Sequence, residues 1–248
     1  MSVFRPLSIA FGFLTRLPVK NHAVEEAELG RSIPWFPVVG AALGLALVGM
    51  ELLLRGHLST ALVAVGLVVL LAALSGGLHL DGLADVFDAL GGGRGDRDRM
   101  LTIMRDSRIG AHGATALSLF LAAKVFAVIE VLQHGTRWQL FVCPILARWA
   151  VIPLVVFFPY ARAEGLGRPF NGHGRPLHFA WATCLTVALV AWVGPRAIMP
   201  SAVALAVALG IGVWLKRRLG GLTGDVYGAA IELSELAFLI VVGLGDGM

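Results

Sequence analysis

Charge is scarce in this chain. Only 15% of its 248 residues are Asp, Glu, Lys or Arg, against 57% hydrophobic, and the mean hydropathy is +0.81. That balance excludes an ordinary soluble domain and points to a polytopic membrane protein. Cysteine is scarcer still: Cys143 and Cys184 both lie in apolar stretches and give neither a disulfide framework nor a C-x-x-C metal signature. No small-residue cleavage site follows the first apolar stretch, Leu7–Leu14, so an uncleaved interfacial helix is expected there, with Phe4, Leu7, Phe11 and Leu14 on its lipid-facing stripe. Internal repeats of the kind that build transporters are absent too. A pI near 9.6 would suggest nucleic acid in a soluble protein, but in a membrane protein the basic residues report orientation, and no nucleic-acid partner is expected.

What is present is a series of apolar runs of about 20 residues, the length needed to cross a bilayer as a helix. Pro34–Leu54, Leu58–Leu78, His112–Leu132, Trp138–Phe158, Leu177–Gly194, Ala197–Leu215 and Gly228–Gly245 predict an all-α, multi-pass membrane protein of about seven helices, with residues 1–248 forming one domain. The polar connections after the second, fourth and sixth runs then emerge on the side of the N-terminus. Most basic residues lie there, Lys20, Arg94, Arg162 and Lys216–Arg218 among them, while Arg55, Arg137 and Arg196 lie opposite. By the positive-inside rule the richly basic side is cytoplasmic. Lys124 and Arg148 fall inside runs, where a charge must snorkel or find a partner such as Glu130.

The chain is organised around Gly76–Gly93, GGLHLDGLADVFDALGGG, where an apolar run ends in three carboxylates. Asp81, Asp85 and Asp88 stand at i, i+4 and i+7, so a helix presents them along one stripe. Three like charges that close repel one another unless a cation sits among them. Carboxylates suit Mg²⁺, which takes one or two of them and fills its other positions with water and substrate phosphates. The competing reading is a solvated helix face.

Asp96–Arg108 follows and supplies Arg97, Arg99, Arg105 and Arg108, with Asp106 between the last two. The planar guanidinium fork matches phosphate oxygens, so these are candidate substrate-binding residues beside the acids. His112, and His79 ahead of Asp81, are candidate general bases because imidazole titrates near neutral pH. The connection Arg162–Arg175 mixes Glu164, Asn171 and His173 with glycines and reads equally as ligand loop or connector. Asp225 ends a Gly-rich stretch, and Glu232 and Glu235 follow it at i+7 and i+10. Acids inside a membrane helix are costly enough that all three are candidate substrate-site residues; neutralisation of the glutamates by Lys124 or Arg148 is the alternative.

Four segments together carry a resemblance: LTRLPV at 14–19, GGLHLDGLADVFDAL at 76–90, DRMLTIMRDSRIGAHG at 98–113 and GGLTGDVYGAAIELSE at 220–235. The chain resembles the cobalamin synthase family, the adenosylcobinamide-GDP ribazoletransferases. The resemblance implies a bacterial inner-membrane enzyme that uses Mg²⁺ to join adenosylcobinamide-GDP to α-ribazole or α-ribazole 5′-phosphate, releasing GMP. It places Asp81, Asp85 and Asp88 in the family's acidic motif and Arg105, Asp106 and Arg108 in its MRDSR run. The lipid bilayer is then a constitutive partner, and the basic loops are the candidate contact for other cobalamin pathway enzymes. Rival readings are a Mg-dependent phosphotransferase of CDP-alcohol or prenyl type, and a cation-coupled transporter with Glu232 and Glu235 as coupling sites.

Overall fold

The computed structural model describes residues 4–19, 24–133 and 137–245; Lys20, counted above with the basic side, lies outside them. In chain order the helices are α1 (Phe4–Leu14), α2 (Glu26–Ser32), a 3-10 turn (Ile33–Trp35) running into α3 (Phe36–Leu54), α4 (Thr60–Ser75), α5 (Leu78–Gly92), α6 (Arg97–Ile103), α7 (Ala111–Gln133), α8 (Trp138–Ala150), α9 (Ile152–Phe157), α10 (Arg168–His173), α11 (Pro176–Val190), a 3-10 segment (Ala191–Ala197), α12 (Ile198–Leu219) and α13 (Gly224–Gly245). Among the described residues the only bridges outside helices pair Arg55 with Leu58 and Tyr160 with Leu222. The expected all-α membrane architecture is what forms.

The expected count of seven crossings is not what length and apolarity give. Five helical stretches qualify, or six if α4 and α5 are taken as one bent span. Two departures explain the difference. α4 holds 16 residues, about 24 Å of helix at 1.5 Å per residue, and α5 turns away from it by 91°. Pro176–Leu219 counts as a single 44-residue stretch, yet its backbone leaves helical geometry at Gly194. Its two arms run beside α8 and α9 in opposite directions: Phe179 packs on Phe157 and Trp192 on Phe141, while Gly212 of the second arm lies against Leu154. The stretch therefore doubles back at Gly194.

Close backbone approach holds the bundle together. A Cβ on Gly40 would fall 2.5 Å from the Pro144 carbonyl oxygen and one on Gly44 2.3 Å from that of Phe141, so α3 and α8 meet along a small-residue face where side chains would force them apart. α13 is the central helix, packed along α12, α5, α8 and α7. α1 corrects its own expectation. Ile9, Ala10 and Leu14 are buried in protein, so Leu14 is not on a lipid-facing stripe, whereas Phe4 remains 80% exposed.

Gly76 and Gly77 make the α4–α5 bend possible. Both adopt left-handed φ, +64° and +71°, which a side chain would strain, and Arg16 lies across Gly76 where a Cβ would stand. The bend lays α5 over the first turns of α7 and α13. There Gly82 meets the backbone of Asp225, and the Gly110 and Gly113 amides reach Asp88. The remaining connections close over the same end: Ala161 N–H donates to the Leu222 carbonyl at 2.8 Å, and Arg97 Nε to that of Leu219 at 2.7 Å.

Candidate active site at the α5 bend

Two cavities adjoin at the start of α5. One, about 280 Å³, is lined by α1, α5, α9, α13 and the segment from Tyr160 to Phe170; Phe13, Phe36, Val155, Phe170 and Ile231 make its apolar part, and Asp81, Tyr160, Arg162 and Asp225 its polar part. The other, about 630 Å³, is a more open groove with Thr15, Arg16, Ser75, Asp81, Asp85 and Ser107 on its walls. Phe13, Leu78 and Asp81 belong to both, so Asp81 stands at the junction.

Asp85 lies one turn along α5 from Asp81, and Asp225 approaches from the start of α13. Burial, then the Asp225 and Asp81 carboxylates, push Asp85 up to about 7. Burial is the larger cause and the two neighbouring carboxylates add to it, so ionising Asp85 here is costly. One partner is present: Arg162 Nη2 lies 3.0 Å from Asp225, with the arginine side chain only 10% exposed. Arg162 Nε has no hydrogen-bond partner.

The third acid of the motif does something else. Asp88 is buried and accepts the backbone N–H of Gly110 at 2.7 Å and that of Gly113 at 2.8 Å, so both carboxylate oxygens are committed at the N-terminal end of α7. The amides and the positive end of that helix satisfy its charge. The i, i+4, i+7 stripe is real, and its last member ties α5 to α7.

Glu232 and Glu235 line neither cavity. Both are buried, with Lys124 Nζ 2.6 Å from Glu232 and 2.5 Å from Glu235, and Arg148 completes the cluster against Glu235. Two cations face two anions, so the group is neutral inside the bundle, and Glu130 is not the partner expected for the intramembrane cations. The transporter reading loses its proposed coupling sites to this internal pairing.

The arginine run spreads over the surface beside the groove. Arg97 is held on the Leu219 carbonyl, Arg99 is exposed on α6, and Asp106 accepts two hydrogen bonds from the Arg108 guanidinium, at 2.9 and 2.7 Å. Arg105 is exposed as well. None of these, nor His112, lines either cavity, although their neighbours Ser107 and Ile109 line the groove. His112 instead lies over Gly91, where a Cβ would fall 2.4 Å from its ring.

In the connection 162–175, Asn171 donates to the Val155 and Phe158 carbonyls at 2.8 and 2.7 Å and so fastens the end of α9. Arg162, Gly165, Leu166 and Gly167 form cavity wall. Sequence reasoning missed Arg162, Arg16, Tyr160 and Tyr227. A signal for the last two was available: the chain has only 2 tyrosines, and both line the closed cavity with ring centroids 6.4 Å apart.

These features define a class, a polytopic all-α membrane protein with an acid- and arginine-bearing site where a bent helix crosses the ends of its spans. The chain belongs to the cobalamin-5-phosphate synthase family, whose profile matches residues 6–243. It is 43% identical over 241 residues to the adenosylcobinamide-GDP ribazoletransferase of Ectopseudomonas mendocina (strain ymp), covering 95% of this chain and 97% of that one. The enzymes of the same name from Roseiflexus sp. (strain RS-1), 41% identical over 252 residues, and Klebsiella pneumoniae (strain 342), 40% over 242 residues, are covered to 91% and 97% and match 99% and 94% of this chain. The CDP-alcohol and prenyl-type alternatives are not favoured. No solved structure matches the chain.

Proposed function

We propose that the chain is a transferase that joins adenosylcobinamide-GDP to α-ribazole or α-ribazole 5′-phosphate, releasing GMP and giving adenosylcobalamin or its 5′-phosphate. The observation that carries this reading is the grouping of Asp81, Asp85 and Asp225 where two cavities meet, in a chain of this family. Attack of a ribose hydroxyl on a pyrophosphate asks chiefly for alignment and charge neutralisation, with no covalent intermediate on the protein. Arg162 and Arg16, on the walls, and Arg105 and Arg108, near the groove, are the candidate phosphate partners.

Among the described residues no group of three or more His, Cys, Asp or Glu closes on a metal by itself. Asp81 and Asp85, on the groove wall one helical turn apart, would be the residues to hold a Mg²⁺ there. Bound there, the ion would neutralise charge on the phosphates. Asp225, already paired with Arg162, shapes the same wall. The setting of the reading is the bacterial inner membrane, with the site end of the bundle in the cytoplasm and the basic loops open to other pathway enzymes.

Membranes carrying the chain, incubated with adenosylcobinamide-GDP, α-ribazole and Mg²⁺, should release GMP, and chelation should stop the release. No GMP from well-inserted protein rejects the activity; release unaffected by chelation rejects the metal. Reporter fusions after Arg94, Gly167 and Arg218 should all report cytoplasm, and a periplasmic signal from any of them rejects the orientation.

A further inference from the structure

The two adjoining cavities differ in character as much as in size, and a two-substrate transfer needs such a difference. The smaller is the more enclosed and mainly apolar, with Asp81, Arg162 and Asp225 at its polar end, while the larger is more open and mixes Arg16, Asp85 and Ser107 with apolar side chains. Their common wall holds Asp81. Displacement at phosphorus places the attacking and leaving oxygens roughly in line on opposite sides of the transferred group. A phosphoryl centre at Asp81 therefore receives its nucleophile from one cavity and releases its leaving group into the other.

We infer that the closed cavity is the acceptor subsite, taking a nucleoside with an apolar fused-ring base, and that the open groove takes the pyrophosphate of the donor and the departing nucleotide. The assignment rests on the transferase reading above. Size supports it: about 280 Å³ suits a single nucleoside, whereas a corrinoid joined to GDP fits only where the wall is open. Chemistry supports it as well. Phe13, Phe36 and Phe170 supply aromatic surface for a ring system, with Phe13 and Phe170 4.2 Å apart between centroids.

Three side chains that line this cavity, His79, Arg162 and Tyr227, carry buried polar atoms without a hydrogen-bond partner. His79 is 3% exposed and its Nδ1 makes no hydrogen bond; Arg162 has its Nε unpaired at the polar end. Unsatisfied polar atoms in a closed cavity are costly and call for a ligand with matching groups. A heteroaromatic nucleoside brings a ring nitrogen for the imidazole, and ribose hydroxyls or a 5′-phosphate for the guanidinium. In the transfer the ribose oxygen forms a new O–P bond as the P–O bond to GMP breaks. GMP leaves with that electron pair into the groove, and the hydroxyl proton passes to solvent water on the acceptor side.

The test fills the cavity from positions away from the acids. Val155→Phe and Ile231→Phe should each raise the KM for α-ribazole about tenfold or more, leaving the KM for adenosylcobinamide-GDP within about twofold. A rise confined to the donor KM, or no change in either, overturns the assignment. Should these variants fail to fold, wild-type protein decides by equilibrium dialysis with α-ribazole alone. Binding that survives excess GMP and inorganic pyrophosphate supports a separate apolar subsite, and displacement by either, or no binding, overturns it. Absence of GMP release by the wild type rejects the proposed reaction, while the dialysis still decides whether the cavity takes a nucleoside.

Discussion

Two groups of acids, joined by α13, meet opposite fates. Glu232 and Glu235, within α13, are matched charge for charge by Lys124 and Arg148 from α7 and α8, and the whole cluster is buried. In the group of Asp81, Asp85 and Asp225, where α5 crosses the start of α13, the ion pair found among the described residues joins Asp225 to Arg162. Membrane depth alone would have ranked the glutamates as the functional pair, since charge there is most expensive. The comparison teaches that cost indicates function only after partners are counted. A paid-off charge is architecture, and a charge still waiting for a counter-ion is a site.

The largest effect expected from breaking this comparison is on turnover at the open group. Asp81→Asn keeps shape and should cut GMP release roughly a hundredfold or more, the scale of losing a charge-stabilising group in a transfer site, while the protein still inserts and melts normally. Normal turnover would move Asp81 to the architectural class.

The closed group should respond in the other currency. Arg148→Met strands a buried carboxylate and should destabilise the protein by about 3–5 kcal/mol, read as a lower melting temperature in detergent, with the surviving folded protein near wild-type specific activity. Removing a matched pair together, Lys124→Met with Glu232→Met, should recover most of the loss seen in Lys124→Met alone. Loss of turnover in that stable double variant would make the cluster functional.

A third measurement sharpens the contrast through protons. Asp85 is raised from 3.8 to about 7, so its folded form resists ionisation: the penalty is absent below about 3.8, grows through that window and is complete above it. In chelator, Asp85→Asn should therefore melt higher than wild type at about pH 8 and no differently at about pH 3.5. Added Mg²⁺ should raise the melting temperature of wild type at the higher pH more than that of the variant. An unchanged difference across the pH range would mean the acids are not strained.

The smallest effect belongs to the exposed pair. Arg108→Lys loses the fork now spent on Asp106 and should raise the donor KM only a few-fold, with melting temperature unchanged. No change in that KM would leave Arg108 as orienting charge.

Much of this was legible because it is local. The apolar runs, and Asp81 and Asp85 on one helical stripe, follow from spacing along a few turns of chain, whereas the bend at Gly76–Gly77 was not read, the second run being drawn straight through it. The fate of Asp88 was not, because it depends on two amides of a helix that starts more than twenty positions later. Lys124 finds Glu232 108 positions away and Arg148 finds Glu235 87 away, separations over which no periodicity operates. Arg162 was readable only as orienting charge until the fold put it beside Asp225. The doubling back at Gly194 shows the same limit in reverse: sequence divided Pro176–Leu219 into two runs, and the packing partners of each arm, rather than a break in helical assignment, reveal the turn.

The matched cluster also fixes an order of events during synthesis. α7 and α8 carry Lys124 and Arg148 into the bundle before the ribosome has made α13, so for that interval both cations lack the acids that neutralise them. The last helix thus delivers the two counter-charges and Asp225 in a single insertion, and the site and its foundation mature at the same moment. A nascent chain stalled short of α13 retains two unmatched cations among its apolar helices, the kind of persistent defect by which membrane proteases tell an unfinished protein from a finished one.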